Sequence, residues 1–139
     1  MEIPDLSVKD IEVGDTITFE HAFTEKDVET FARLSGDQNP LHLDEEYAQK
    51  TEFGRRLVQG MLVGSLCSRL VGMHIPGKRC LYLGQTLLFK KPVFIGETLK
   101  VIGTVTSRSH STRIVKIDIS ISKGQEIAAT GEATTRVLA

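Results

Sequence analysis

Residues 57–71 form an apolar segment that only a surrounding layer of protein could shield from water. Drawn as a helix, the segment is apolar on nearly every side, which is typical of a fully buried helix. Gly60 and Gly64 lower its helix propensity but allow another backbone to approach closely. Its polar interruptions are Gln59, Ser65, Ser68 and Arg69. The segment is too short and too polar to cross a bilayer, so it predicts a central helix inside a globular domain.

The second half of the chain has the alternating pattern of half-buried strands. In the clearest case, over residues 115–122, Val and Ile alternate with polar residues. This is the two-residue period with which strand side chains change faces. Residues 99–106 alternate in the same way. Residues 80–89 form a further strand-like run that Lys90-Lys91-Pro92 closes, and residues 126–137 return as the final strand after a turn at residues 123–125. Consecutive strands of this kind favour an antiparallel meander, and the sheet would wrap around the central helix in an α+β arrangement.

The first third of the chain predicts a strand and two short helices. Residues 15–23 alternate like a strand, and Thr24 follows as a helix N-cap with acidic residues in the first turn. The helix should end at Ser35 and Gly36, because glycine readily adopts the left-handed conformation that stops a helix. A further short helix is predicted over residues 44–48.

The polar residues 35–42, between these two helices, contain the groups best suited to chemistry. Asp37 and His42 lie five residues apart, and Asn39-Pro40 between them is expected to force the backbone out of a regular helix. A turn here would aim the carboxylate and the imidazole at one point, where they could activate a water near neutral pH. The alternative interpretation is that Asp37 is only a turn residue and His42 is structural.

Composition argues against several classes of function. The chain has 139 residues and a formal net charge of -1, whereas a general nucleic-acid binder should be basic. Aromatic residues are few and Trp is absent, which disfavours an aromatic platform for single strands. Cys67 and Cys80 lack the spacing of a metal site, so we expect reduced thiols in a cytoplasmic protein. The acidic first residues carry no apolar run, so neither a signal peptide nor a membrane partner is expected.

Three segments, residues 31–42, 60–66 and 89–98, carry a resemblance to a known family. The first, FARLSGDQNPLH, is similar throughout to the hydratase motif of the MaoC-like (R)-specific enoyl-CoA hydratases. The second resembles the start of that family's central helix, and the third resembles the strand-turn-strand after it. Gln59 is a departure, because relatives often have His there. The resemblance implies a single hot-dog domain over residues 1–139, with an antiparallel sheet wrapped around a long central helix, and reversible hydration of trans-2-enoyl thioesters by a lyase.

The same resemblance implies roles for individual residues. Asp37 and His42 would be the catalytic pair and would hold one water between them. The backbone N–H of Gly60 would form an oxyanion hole, where the positive end of the helix points at the thioester oxygen. Ser68 would orient the pair, and Asn39 would fix the loop or make a supporting hydrogen bond. Neither a metal nor an organic cofactor is implied.

The implied substrate is an acyl thioester of coenzyme A or of an acyl carrier protein. Its phosphates would need cations, and Arg55, Lys90 and Lys91 are candidates, although charged residues at the ends of elements are usually just solvated. Two other functions suit the same fold, namely a thioesterase and a non-catalytic acyl-thioester-binding subunit. We expect a homodimer or a dimer of dimers with the site near the interface, and no nucleic-acid partner.

Overall fold

The 14-residue helix Gly60–Met73 packs against one face of an antiparallel sheet in the computed structural model, which describes residues 2–139. In chain order the helices are α1 (Glu25–Ser35), α2 (Pro40–Leu43), α3 (Glu45–Gln49) and α4 (Gly60–Met73). The strands are β1 (Thr16–Ala22), β2 (Cys80–Gln85), β3 (Leu88–Phe89), β4 (Thr98–Arg108), β5 (Ile114–Lys123) and β6 (Glu126–Val137). Within residues 2–139, each helix is too short or too polar to cross a membrane.

The sheet has the strand order β1-β4-β5-β6-β2, and β3 also pairs with β6. Every pairing is antiparallel. Strands β4, β5 and β6 form the predicted meander, but β2 lies beside β6, and β1 lies on the other side of β4. The prediction of one simple meander for the whole second half is therefore wrong. Residues 90–97 carry the chain across the domain between β3 and β4, which the alternation of side chains does not reveal.

The predicted strand over residues 80–89 is two strands, β2 and β3, with an interruption at Thr86. Thr86 still exchanges hydrogen bonds with Glu132, but its carbonyl turns toward Gly131, where an ideal Cβ would lie 1.9 Å from that oxygen. The ladder also shifts register between Tyr82 and Gly84. A glycine in the neighbouring strand thus permits the interruption, and nothing within residues 80–89 could show it.

The central helix begins at Gly60 and not at Leu57, so the predicted start is wrong by three residues. Leu57 forms an isolated antiparallel bridge with Phe94, and the Val58 N–H donates to the Val93 carbonyl at 2.8 Å. These extended pairings use the backbone groups that a longer helix would need. Apolar side chains alone do not separate a buried helix from a short buried strand.

The capping signals of α1 are confirmed at the predicted residues. The Thr24 hydroxyl accepts from the Asp27 N–H at 3.2 Å, while the Asp27 carboxylate accepts from the Thr24 N–H at 2.9 Å. At the other end, Gly36 has φ 82°, and its N–H donates to the Ala32 carbonyl at 2.9 Å. Both ends of this helix are therefore specified by local sequence.

The core lies between α4 and the inner face of the sheet. The helix contributes Val63, Leu66, Cys67, Leu70 and Val71, and the long strands contribute Val101, Val105, Val115, Ile117, Ile119 and Ile121. The helix approaches the sheet closely at Gly103 of β4, where an ideal Cβ would lie 2.5 Å from Cδ1 of the fully buried Leu70. A side chain at this position would push the helix away from the sheet.

We therefore expect Gly103→Ala to lower the free energy of unfolding by about 1–3 kcal/mol through overpacking against Leu70. Gly84→Ala is the matched control, because the nearest atom to its ideal Cβ is 3.9 Å away. That variant should be neutral or slightly stabilising, since alanine restricts the unfolded chain. Urea unfolding of both variants measures the difference, and equal stabilities would contradict the packing argument.

Candidate active site

Asp37 and His42 are placed by two local turns between α1 and α2. The Asp37 N–H donates to the Ser35 hydroxyl at 3.1 Å, and the Asn39 N–H donates to Asp37 Oδ1 at 3.3 Å. The Asn39 side chain then caps α2 by accepting from the Leu41 N–H at 3.0 Å. The segment thus folds from its own polar side chains, among which Asn39 supplies the N-cap of α2.

The backbone leaves the helical conformation at Asn39, with ψ 130°, as the Asn-Pro sequence predicts, but Pro40 is helical and does not lie in a turn. It is the first residue of α2, directly after the N-cap Asn39. An N–H at the first position of a helix has no intrahelical partner, and the fixed φ of proline suits this position. The Asn-Pro sequence therefore starts a short helix, which carries His42 at its third position.

The imidazole of His42 faces the carboxylate of Asp37, with 3.9 Å between Nε2 and Oδ2. Its other nitrogen, Nδ1, lies 2.9 Å from the Leu57 carbonyl oxygen. Because a carbonyl only accepts, Nδ1 must carry a proton, and Nε2 of the neutral ring is then an acceptor. Two acceptors at this separation suit one water that donates a proton to each, at about 2.8 Å.

Solvent access differs between the two groups. The His42 side chain is 14% exposed, whereas the Asp37 side chain is 47% exposed. The imidazole is therefore enclosed by protein on most sides, while the carboxylate borders solvent. A water held between them would lie at the edge of a space that is partly open to solvent.

That space is a cavity of about 360 Å³, and both His42 and Gly60 of the same chain line it. Its walls are mainly apolar: Phe53, Leu57, Val58, Val63, Phe89, Pro92, Val93 and Ala128. The ring of Phe89 lies against Gly60, 3.4 Å from the position of an ideal Cβ. The cavity is shaped for an apolar group with a polar end near the imidazole.

Gly60 is the first residue of α4, as the family resemblance implies although the apolar pattern does not, and α4 opens toward the cavity. The Gln59 carbonyl accepts from the N–H groups of Leu62 and Val63, but the Gln59 side chain makes no capping bond to the helix. The first N–H groups of the helix therefore suit an acceptor from outside, aided by the positive end of the helix dipole.

The three candidate cations, Arg55, Lys90 and Lys91, lie at two different places on the protein. Lys90 and Lys91 line the cavity, and both side chains are exposed. Arg55 instead stacks on the ring of Phe94, 3.9 Å from its centroid, and lines a separate surface pocket with Glu25. The structure thus brings the two lysines to the site but not Arg55.

Ser68 does not join the group. It lies eight residues after Gly60, which is about 12 Å along the helix axis, and its side chain is on the exposed side of α4. The structure therefore gives no support to an orienting role for Ser68 on the pair of its own chain.

The sequence predicts no site role for two buried residues that lie next to the site, although Gln59 is noted as a departure from the family pattern. Arg56 is 8% exposed and donates from Nε to the His42 carbonyl at 2.7 Å. Gln59 is 1% exposed and donates from Nε2 to the Val28 carbonyl at 3.0 Å, which joins the start of α4 to α1. Arg56 carries no sequence signal that separates it from Arg55, since one residue of register decides which of them is buried.

The cysteines are not candidates for nucleophilic chemistry. Burial raises the pKa of the Cys67 thiol to about 11, and burial also raises the pKa of Cys80. The thiolate is the reactive form, so both thiols are poor nucleophiles near neutral pH. The chemistry of the cavity therefore depends on oxygen and nitrogen groups.

The similarity to known proteins covers the residues that form the fold and the site. A family model described as the MaoC like domain matches residues 9–126. The (R)-specific enoyl-CoA hydratase of Aeromonas caviae is 41% identical over 133 residues, covering 95% of this chain and 99% of that protein. The 3-hydroxybutyryl-CoA dehydratase of Methylorubrum extorquens is 36% identical over 138 residues, covering 97% of this chain and 88% of that protein. An R-hydratase from Pseudomonas aeruginosa superposes with a TM-score of 0.92 at 34% identity, over 98% of this chain and 88% of that chain.

Asn39→Ala should lower the free energy of unfolding by about 1 kcal/mol, because the Leu41 N–H loses its capping acceptor. Asn39→Ser keeps an oxygen that can cap and should stay close to the original protein. Urea unfolding of the two variants checks this, and an alanine variant as stable as the serine variant would show that the cap is unimportant.

Proposed function

Because the chain belongs to the MaoC-like domain family, we propose that Asp37 and His42 activate the water in its reaction. The relatives of 36–41% identity are hydratases and dehydratases that match nearly the full chain, so the protein is a hydro-lyase. Its reaction is the reversible hydration of trans-2-enoyl thioesters to (R)-3-hydroxyacyl thioesters. The observation that supports the site is the pair of acceptors, His42 Nε2 and Asp37 Oδ2, facing each other at 3.9 Å.

In the proposed mechanism Asp37 and His42 hold one water between them, and the water donates one hydrogen bond to each residue. The lone pairs of that water then point away from the pair, toward the β-carbon of the bound enoyl group. As the water oxygen attacks, the pair accepts one proton and returns a proton to the α-carbon from the same side. General acid–base catalysis of this kind contributes typically about 10²–10⁴ in rate.

The charge that develops on the thioester oxygen needs donors, and the first N–H groups of α4 suit this role. Gly60 begins the helix at the cavity wall and has no side chain of its own to cover the backbone N–H. Loss of one such donor costs roughly 3–4 kcal/mol in other enzymes. The ring of Phe89 against Gly60 would keep water from these donors.

The exposed Lys90 and Lys91 at the cavity suit the phosphates of coenzyme A or of a phosphopantetheine arm. We further propose a homodimer or a dimer of dimers in the cytoplasm. The exposed apolar side chains of Leu34 (83%) and Met61 (62%) favour association, and the free thiols favour a reducing compartment. Light scattering at micromolar concentration tests the assembly, and a monomer would contradict it.

Asp37→Asn should reduce hydration of a short trans-2-enoyl-CoA by about 10²–10⁴, because the amide cannot accept the water proton. Asp44→Asn is the control, since Asp44 only caps α3 and asparagine caps equally well. The assay follows loss of the conjugated ultraviolet band together with release of free thiol. Thiol release without hydration would indicate a thioesterase. An original protein inactive on coenzyme A and carrier-protein esters alike would indicate a non-catalytic binding subunit.

The double variant Lys90→Gln/Lys91→Gln should raise KM for enoyl-CoA with little change in kcat, because the lysines would contact only the phosphates. A thioester of N-acetylcysteamine, which lacks phosphates, should react equally with both proteins. Lys100→Gln is the matched control, because this exposed lysine lies on β4 and does not line the cavity. An equal KM change with both substrates would argue against phosphate binding.

A further inference from the structure

Arg56 and Leu57 are consecutive residues that hold His42 from two directions. Leu57 accepts the ring N–H of His42 on its carbonyl, at 2.9 Å. Arg56 donates from Nε to the main-chain carbonyl of His42 at 2.7 Å and from Nη1 to Glu25 Oε1 at 3.0 Å. The ring and the main chain of His42 are therefore both hydrogen-bonded to the same extended segment, residues 56–57.

The bond from Arg56 satisfies a group that α2 cannot satisfy itself. Helix α2 has only four residues, and the Pro40 carbonyl is the one that accepts from the Asp44 N–H. The His42 carbonyl belongs to the last turn, where carbonyls have no partner within the helix. A cation at this end also interacts favourably with the helix dipole. So short a helix depends on such outside contacts for its position.

Stability alone does not account for a buried guanidinium here. Glu25 is 68% exposed, so this ion pair is partly solvated, and Arg56 Nη2 is buried without a hydrogen-bond partner among residues 2–139. Burying a charge is costly, and apolar replacements of buried ion pairs are often neutral or stabilising. The benefit that remains for arginine at this position is its bond to His42.

We propose that Arg56 is a positioning residue for the acid–base pair. By holding the His42 carbonyl, it keeps α2 in the place where Nδ1 meets Leu57 and Nε2 faces Asp37 at 3.9 Å. Without it, α2 shifts and the ring loses its fixed direction. The inference rests on the proposed function of Asp37 and His42.

The first test compares Arg56→Met with Arg108→Met. Arg108 also donates from its guanidinium to a main-chain carbonyl, that of Ile11 at 2.5 Å, but far along the chain from the pair. A misplacement of about 1 Å can cost ~10²-fold in rate, so Arg56→Met should lower kcat on a short trans-2-enoyl-CoA by about 10–100-fold. KM should change by less than about threefold, because the substrate contacts remain. Arg108→Met should keep kcat, whatever its melting temperature.

Two further variants separate the bond to His42 from the ion pair. Arg56→Lys keeps the charge but removes the Nε–H donor, so kcat should fall as in Arg56→Met. Glu25→Gln weakens the ion pair and leaves the bond to the His42 carbonyl in place, so kcat should stay close to the original. If Arg56→Met does not fold, the comparison of kcat between Arg56→Lys and Glu25→Gln tests the proposal instead.

Nitrogen NMR of the His42 ring gives a readout that does not depend on turnover. In the original protein Nδ1 should be the protonated nitrogen of the neutral ring, and in Arg56→Met the two tautomers should become mixed. If the protein without substitutions has no hydration activity, the proposed function is contradicted. The ring signals would still test whether Arg56 positions His42. The inference is overturned if Arg56→Met keeps its kcat, if Arg108→Met loses as much, or if the tautomer is unchanged.

Discussion

Hydrogen bonds from the extended residues 56–59 join parts of the molecule that are distant in sequence. The Leu57 N–H donates to the Leu41 carbonyl, and the Val58 N–H donates to the Val93 carbonyl. The buried amide of Gln59 reaches the Val28 carbonyl in α1. If this segment continued α4 as a helix, these buried acceptors would lose their donors, which is costly. The positions of α1, α2 and the connection before β4 therefore all depend on its staying extended.

Helix α4 links the core of the protein to its chemistry. Leu70 is fully buried against Gly103, so the helix cannot move along or away from the sheet without losing this fit. Its first residue, Gly60, lines the cavity. The helix that organises the core thus also fixes the N–H groups that we propose as donors to the thioester oxygen, as stabilisation of a developing charge requires.

Predictions from the sequence were accurate where the cause is local. The caps of α1 at Thr24 and Gly36 depend on residues within one turn, and β6 has the predicted bounds because it starts directly after the turn at residues 123–125. They failed where the cause lies elsewhere in the chain. The break at Thr86 depends on Gly131 in another strand, and the late start of α4 depends on pairing near Val93.

The sequence alone determined the α+β class, the family, and the pairing of Asp37 with His42, because periodicity and a contiguous motif carry that information. Only the tertiary structure decided which nitrogen of His42 is protonated, since Leu57 supplies the acceptor from fifteen residues away. It also brought Gly60 into the same cavity as His42 and buried Arg56 while leaving Arg55 outside the cavity. Such choices follow from packing between distant segments, where a side chain's neighbours are not its neighbours in sequence.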